Sequence, residues 1–108
     1  MEIKEKKDSN TLIFSVSGRL DATSVGQFEK HIMEFINKGE KKLMFDLSGV
    51  EYVSSAGLRG ILTTSKALKA QGGELRLIVC AGPVMEVFKI TGLSSIFKIF
   101  NTLEAALA

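Results

Sequence analysis

Apolar positions change their period along this chain, and each change marks a predicted element. Thr11-Leu12-Ile13-Phe14-Ser15-Val16-Ser17 sets Leu12, Phe14 and Val16 against less apolar neighbours, the two-residue period of a half-buried strand. The charged stretch Lys4–Lys7 precedes it, and Asp8-Ser9-Asn10 between them has turn chemistry, which predicts an antiparallel hairpin. After Gly18-Arg19-Leu20-Asp21 the period lengthens. Val25, Phe28, Ile32, Phe35 and Ile36 then share one helical face, Ser24 and Gln27 stand at capping-box spacing, and Lys38-Gly39 closes the helix.

From there strand and helix alternate. Lys42–Leu47 is a compact apolar run, as expected of a strand covered on both faces, and Ser48-Gly49 separates it from a short Tyr52-Val53 stretch. A second helix places Leu58, Ile61, Leu62, Ser65 and Leu68 on one side and Arg59, Lys66 and Lys69 on the other, with Gly72-Gly73 stopping it. Glu74–Cys80 reads as another apolar strand, with Cys80 expected as a small buried hydrophobe. Gly82-Pro83 opens a third helix, proline being permitted in the first turn; Val84, Val87 and Phe88 face inward and Gly92 ends it. Ile96–Phe100 is a last short strand and Thr102–Leu107 a terminal helix. Helices between strands imply parallel pairing with right-handed crossovers. The expected fold is therefore α/β: one domain over residues 1–108, a mixed, mostly parallel sheet with an N-terminal hairpin, packed by about four helices.

Composition narrows the function classes. With 108 residues there is room for one core, and 45% apolar with 24% charged residues is an ordinary globular balance. The formal charge of +2 comes from 14 basic against 12 acidic residues, with no Lys/Arg stripe interleaved with aromatics and no Trp, so no direct nucleic-acid contact is expected. The start Met1–Asp8 has no apolar signal region, and no run approaches the roughly 20 residues of a membrane helix. A cytoplasmic protein without membrane insertion is expected. One Cys and one His do not make a usual zinc site, and neither a metal nor another cofactor is predicted.

No catalytic constellation stands out, so the chain does not read as an enzyme. Ser54 and Ser55 lack the upstream glycine of a nucleophile elbow, there is no P-loop or Gly-x-Gly-x-x-Gly, and His31 reads as a surface or half-buried helix residue. What remains is Val53-Ser54-Ser55-Ala56-Gly57-Leu58-Arg59 at the start of the second helix. Ser54 or Ser55 is expected to be the N-cap. Glycine in a first turn costs about 1 kcal/mol against alanine, so Ala56-Gly57 suggests a helix end left open to an approaching molecule. Helix amides and the positive dipole end favour an anion there, whether a bound phosphate or a phosphoryl group on Ser55.

Asp46-Leu47-Ser48-Gly49-Val50 and Val53-Ser54-Ser55-Ala56-Gly57-Leu58, together with Gly18-Arg19-Leu20-Asp21, resemble the STAS domain of bacterial anti-sigma-factor antagonists, over essentially the whole chain. The resemblance implies a signal-transduction phosphoprotein of transcription regulation. Such a protein binds an anti-sigma factor that is also a serine/threonine kinase, releases the sigma factor when unphosphorylated, and loses binding once phosphorylated; a serine phosphatase restores it. Carried over by position, the phosphorylated serine is Ser55, with Ser54 second because many members have aspartate there. Asp21 would lie near it, Asp46 would end the preceding strand beside the same patch, and Ser54, Ser55, Ala56, Gly57, Leu58 and Arg59 would join Asp21 in the partner surface. Alternatives with the same fold are a STAS module of a stress-signalling or lipid-transport complex. A small nucleotide-binding protein is the alternative of a different class.

Overall fold

The computed structural model describes every residue from Met1 to Ala108. In chain order its elements are β1 (Glu2–Asp8), β2 (Thr11–Leu20), α1 (Val25–Asn37), β3 (Lys42–Val53), α2 (Ser55–Ala70), β4 (Glu74–Ile78), α3 (Pro83–Ile90), a 3₁₀ turn (Leu93–Ser95), β5 (Lys98–Phe100) and α4 (Leu103–Leu107). They form the expected α/β fold, a five-stranded mixed sheet in the order β1-β2-β3-β4-β5. The hairpin is as predicted: β1 pairs antiparallel with β2 from Glu2↔Ser17 to Asp8↔Thr11, and Ser9 turns the corner at φ 55°. All other pairs are parallel. Because the crossovers advance in one direction across the sheet, their three helices fall on one face.

That face holds the main core. Phe14, Phe45 and Leu77 from the central strands pack against Phe28, Ile32 and Ile36 of α1, Leu58, Ile61 and Leu68 of α2, and Val84 and Phe88 of α3. Phe45 meets Phe28 and Phe14 edge to face, with centroids 5.3 and 6.0 Å apart. The opposite face is covered less completely than the apolar run of β3 suggests. Its cluster is Ile13, Met44, Ile78 and Ala106, beneath the single short helix α4.

Sequence and structure diverge most in β3. It is one strand of 12 residues, not a strand and a separate stretch, and two irregularities shift its register with β2 without ending the pairing. Between Ser15↔Asp46 and Leu20↔Val53, β3 takes seven steps where β2 takes five. Each bulge shifts the alternation by one, so Leu47, Val50 and Val53 point inward at intervals of three. Likewise β2 runs on past Ser17 through Gly18-Arg19-Leu20. At the other end, β4 stops at Ile78; Val79 still donates to the Phe100 carbonyl (2.9 Å), but Cys80 lies beyond the pairing and is exposed, not buried. The final strand is shorter than expected: the chain makes the 3₁₀ turn first, leaving Ile96 exposed and only Lys98–Phe100 paired.

Candidate functional site at the start of α2

The long β3 delivers Val53 into the core opposite Leu20, and the chain leaves the sheet there. Ser54 N–H donates to the Leu20 carbonyl (3.0 Å), so the helix start is tied to the end of β2. Both serines satisfy a capping pattern in sequence; the geometry assigns the cap to Ser54. Its backbone is extended (φ −94°, ψ 174°), its hydroxyl accepts from Gly57 N–H (3.2 Å), and its carbonyl accepts from Leu58 N–H (2.9 Å). Ser55 is then the first helical residue, exposed, and its hydroxyl makes no hydrogen bond within the protein.

Two expectations about this segment are corrected. Gly57 is buried, and a Cβ on it would overlap the Leu20 carbonyl oxygen. The glycine is needed so that the first turn of α2 can rest on the end of β2, not to admit an outside molecule. Gly60, one turn on, is buried against Val25, which brings α1 close. Leu58 is also a core residue, 6% exposed, so neither it nor Gly57 can present a side chain to a partner. Ala56 is half-buried and Arg59 exposed.

The turn after β2 completes the site. Leu20 precedes Asp21, so the hydrogen bond that anchors Ser54 also brings Asp21 beside the start of α2. The Asp21 carboxylate accepts from the Thr23 hydroxyl (2.7 Å) and the Thr23 N–H (3.0 Å), and Arg19 Nε stands 3.5 Å away. The Thr23 hydroxyl is the main reason the Asp21 carboxyl is held below the usual range; partial desolvation opposes it, and the Thr23 amide and Arg19 reinforce it. The Arg19 guanidinium also lies 4.2 Å over the ring of Tyr52, its strand partner, which is 43% exposed. Ser24 does not form the expected capping box: its hydroxyl donates to the Arg19 carbonyl (2.8 Å) and accepts from Asp21 N–H (3.0 Å), and it makes no cap bond to α1. It braces the Asp21 turn instead.

Asp46 does not belong here. It is mid-strand, seven residues before Val53 and about 20 Å from it at a strand's rise, and its carboxylate accepts from the Ser48 hydroxyl (2.6 Å) at the bulge. Arg19 and Tyr52 escaped the sequence reading because only the bulged register sets them side by side; Asp21-x-Thr23 does carry a side-chain-to-backbone turn signal. His31 is half-buried on α1, with Nε2 3.0 Å from a Glu5 carboxylate oxygen and its ring edge-on to Phe14.

The family model described as the STAS domain matches residues 2–106. The chain belongs to the STAS-domain family. Among similar members, it is 37% identical over 108 residues to BtrV of Bordetella bronchiseptica, a protein named as an anti-sigma factor antagonist, covering 100% of this chain and 93% of that one. It is 33% identical over 101 residues to the anti-sigma-B factor antagonist of Listeria monocytogenes, covering 94% and 88%. Its STAS fold matches the crystal structure of tm1081 from Thermotoga maritima, also named as an anti-sigma factor antagonist, with a TM-score of 0.92, 28% identity, and 97% and 91% coverage. It further matches the phosphorylated form of the Bacillus cell fate determinant SpoIIAA at a TM-score of 0.70 and 24% identity, over 98% and 96% of the chains, a likeness of fold alone. No helix of this STAS domain is long and apolar enough to cross a membrane.

Proposed function

We propose that the chain is a cytoplasmic anti-sigma-factor antagonist whose binding is switched by phosphorylation of Ser55. Unphosphorylated, it captures an anti-sigma factor that is also a serine/threonine kinase, and so frees a sigma factor. The kinase then transfers the γ-phosphoryl group of ATP to Ser55 Oγ, the hydroxyl proton is lost, ADP leaves, and binding is lost until a serine phosphatase hydrolyses the ester. The observation that carries this reading is the division of labour between the two serines: Ser54 is engaged as the cap, whereas Ser55 is exposed with a free hydroxyl. The names of the relatives support the choice of partner. Asp21, Ser54, Ser55, Ala56 and Arg59 supply the contact surface, with Gly57 and Leu58 holding it from beneath.

The test is a pull-down of the unmodified chain from its host, followed by addition of ATP and phosphate mapping by mass spectrometry. An ATP-binding anti-sigma factor should be retained, and Ser55 should gain the phosphate as the complex dissociates. Phosphate on neither Ser54 nor Ser55, or Ser55→Ala and Ser55→Glu retaining the partner equally, would sink the reading.

A further inference from the structure

The α2 helix contains no acidic residue from Ser55 to Ala70, yet it carries three cations. At about 100° per residue, Ser55, Arg59, Leu62, Lys66 and Lys69 fall in one stripe along its length. Leu62 is half-buried and the other four are exposed. None of the three cations takes part in an ion pair: the pairs formed in this protein are Lys7–Glu40, Arg19–Asp21, His31–Glu5, Arg76–Glu74, Lys89–Glu86 and Lys98–Glu74. Arg59 is thus a free guanidinium four residues after the free hydroxyl of Ser55. Residues at that spacing have Cβ atoms about 5–6 Å apart, and an anion preceding a cation is the favourable order on a helix.

We infer that Arg59 is the built-in receiver of the Ser55 phosphate, pairing with it within α2. The other guanidinium at the site is already committed, since Arg19 is held between Asp21 and Tyr52. Arginine suits the task because its planar fork matches two phosphate oxygens at once. Phosphorylation would then change the stripe twice over. It adds nearly two negative charges at one end, and it withdraws Arg59 from a surface that, unmodified, offers an acidic partner three cations held in no ion pair, with Glu29 of α1 the carboxylate beside Gly60.

This inference rests on Ser55 as the modified residue, and the test avoids that dependence by installing phosphoserine at position 55 during translation, with no kinase. The second ionisation of the phosphate, near pH 6, is followed by ³¹P NMR in the full chain at low salt. The helix start lowers this ionisation in every variant alike, so the comparison isolates residue 59. The expected midpoint is about 0.3 pH unit lower with Arg59 than in Arg59→Gln, the size of an exposed i,i+4 pair. Arg59→Lys, which keeps the charge but not the two-pronged contact, should fall between the parent and Arg59→Gln, and high salt should close the gap. Arg59 is exposed, so both variants should fold, which circular dichroism checks directly. Coincident titrations for the parent and Arg59→Gln overturn the inference, as does a gap produced by Arg19→Gln instead. If titrations coincide while phosphoserine at 55 still releases the anti-sigma factor, the switch survives and only the role of Arg59 falls.

Discussion

Replacing Ser54 and Ser55 singly by alanine should have unequal effects on stability. Ser54→Ala deletes the hydroxyl that accepts from Gly57 N–H and leaves that first-turn amide without its cap. Loss of a serine cap costs about 1 kcal/mol. For a domain of this size, that lowers the melting temperature by roughly 5 °C. Ser55→Ala deletes an exposed hydroxyl that bonds to nothing in the protein, so its effect should stay within about 0.5 kcal/mol. Ser54→Asp should melt no lower than the parent, because aspartate caps as well as serine and its charge suits the helix start. Thermal melts followed by far-UV circular dichroism decide the matter. If Ser55→Ala loses as much as Ser54→Ala, or Ser54→Asp falls with Ser54→Ala, the assignment of cap and free hydroxyl is wrong.

Other consequences are as direct. Gly57→Ala drives a methyl into the Leu20 carbonyl, which is backbone and cannot swing away, so urea midpoints should show a loss of about 1–3 kcal/mol; a midpoint equal to the parent's would mean α2 is not seated on β2 as described. The Asp21 carboxyl ionises below its ordinary value, so the folded state favours its charged form. Whatever stability Asp21 adds over Asp21→Asn is complete above about pH 4 and disappears as pH falls through the lowered value; a margin between the two urea midpoints that persists unchanged into strong acid contradicts this. Cys80 is exposed, so a thiol reagent should titrate it in the folded protein without denaturant. Reaction only on unfolding would return it to the core.

Element types and the parallel or antiparallel sense of the strands were legible because they depend on local periodicity and on the rule that parallel strands need crossovers; the strand order is a finding of the structure. Phe28, Ile32 and Ile36 of α1 and Ile61 and Leu68 of α2 sit in the core as their spacing requires. The errors share a cause. β3 reads as two pieces because its bulges break alternation after Leu47, and a bulge is a property of the strand pair, invisible in one strand. Placing Asp46 at the strand end, as the resemblance implies, puts it beside a patch it does not approach. Ser24 and Gln27 have the right spacing for a capping box, but the Ser24 hydroxyl finds the Arg19 carbonyl first. Gly57 reads as an opening toward solvent because sequence cannot show on which side a backbone approaches; the Leu20 carbonyl stands on its inner side.

Those inner contacts bear on how a phosphate at position 55 can act. The start of α2 is fixed from beneath by Gly57 on Leu20, Gly60 on Val25, and the Ser54 cap, none of which uses the Ser55 side chain. A phosphoryl group there breaks no internal bond and enters a field that favours anions. The fold should therefore persist, and the free-energy change should fall on docking. Two unit charges of like sign 4 Å apart repel by about 4 kcal/mol at an effective dielectric near 20. Even a third of that, left after screening, is about a tenfold loss of affinity per facing carboxylate. Modification of Ser54 is less suited to such a switch: its oxygen is half-buried and already bonded, so a kinase must first disengage the cap. That asymmetry favours Ser55 as the residue on which phosphate mapping will find the modification.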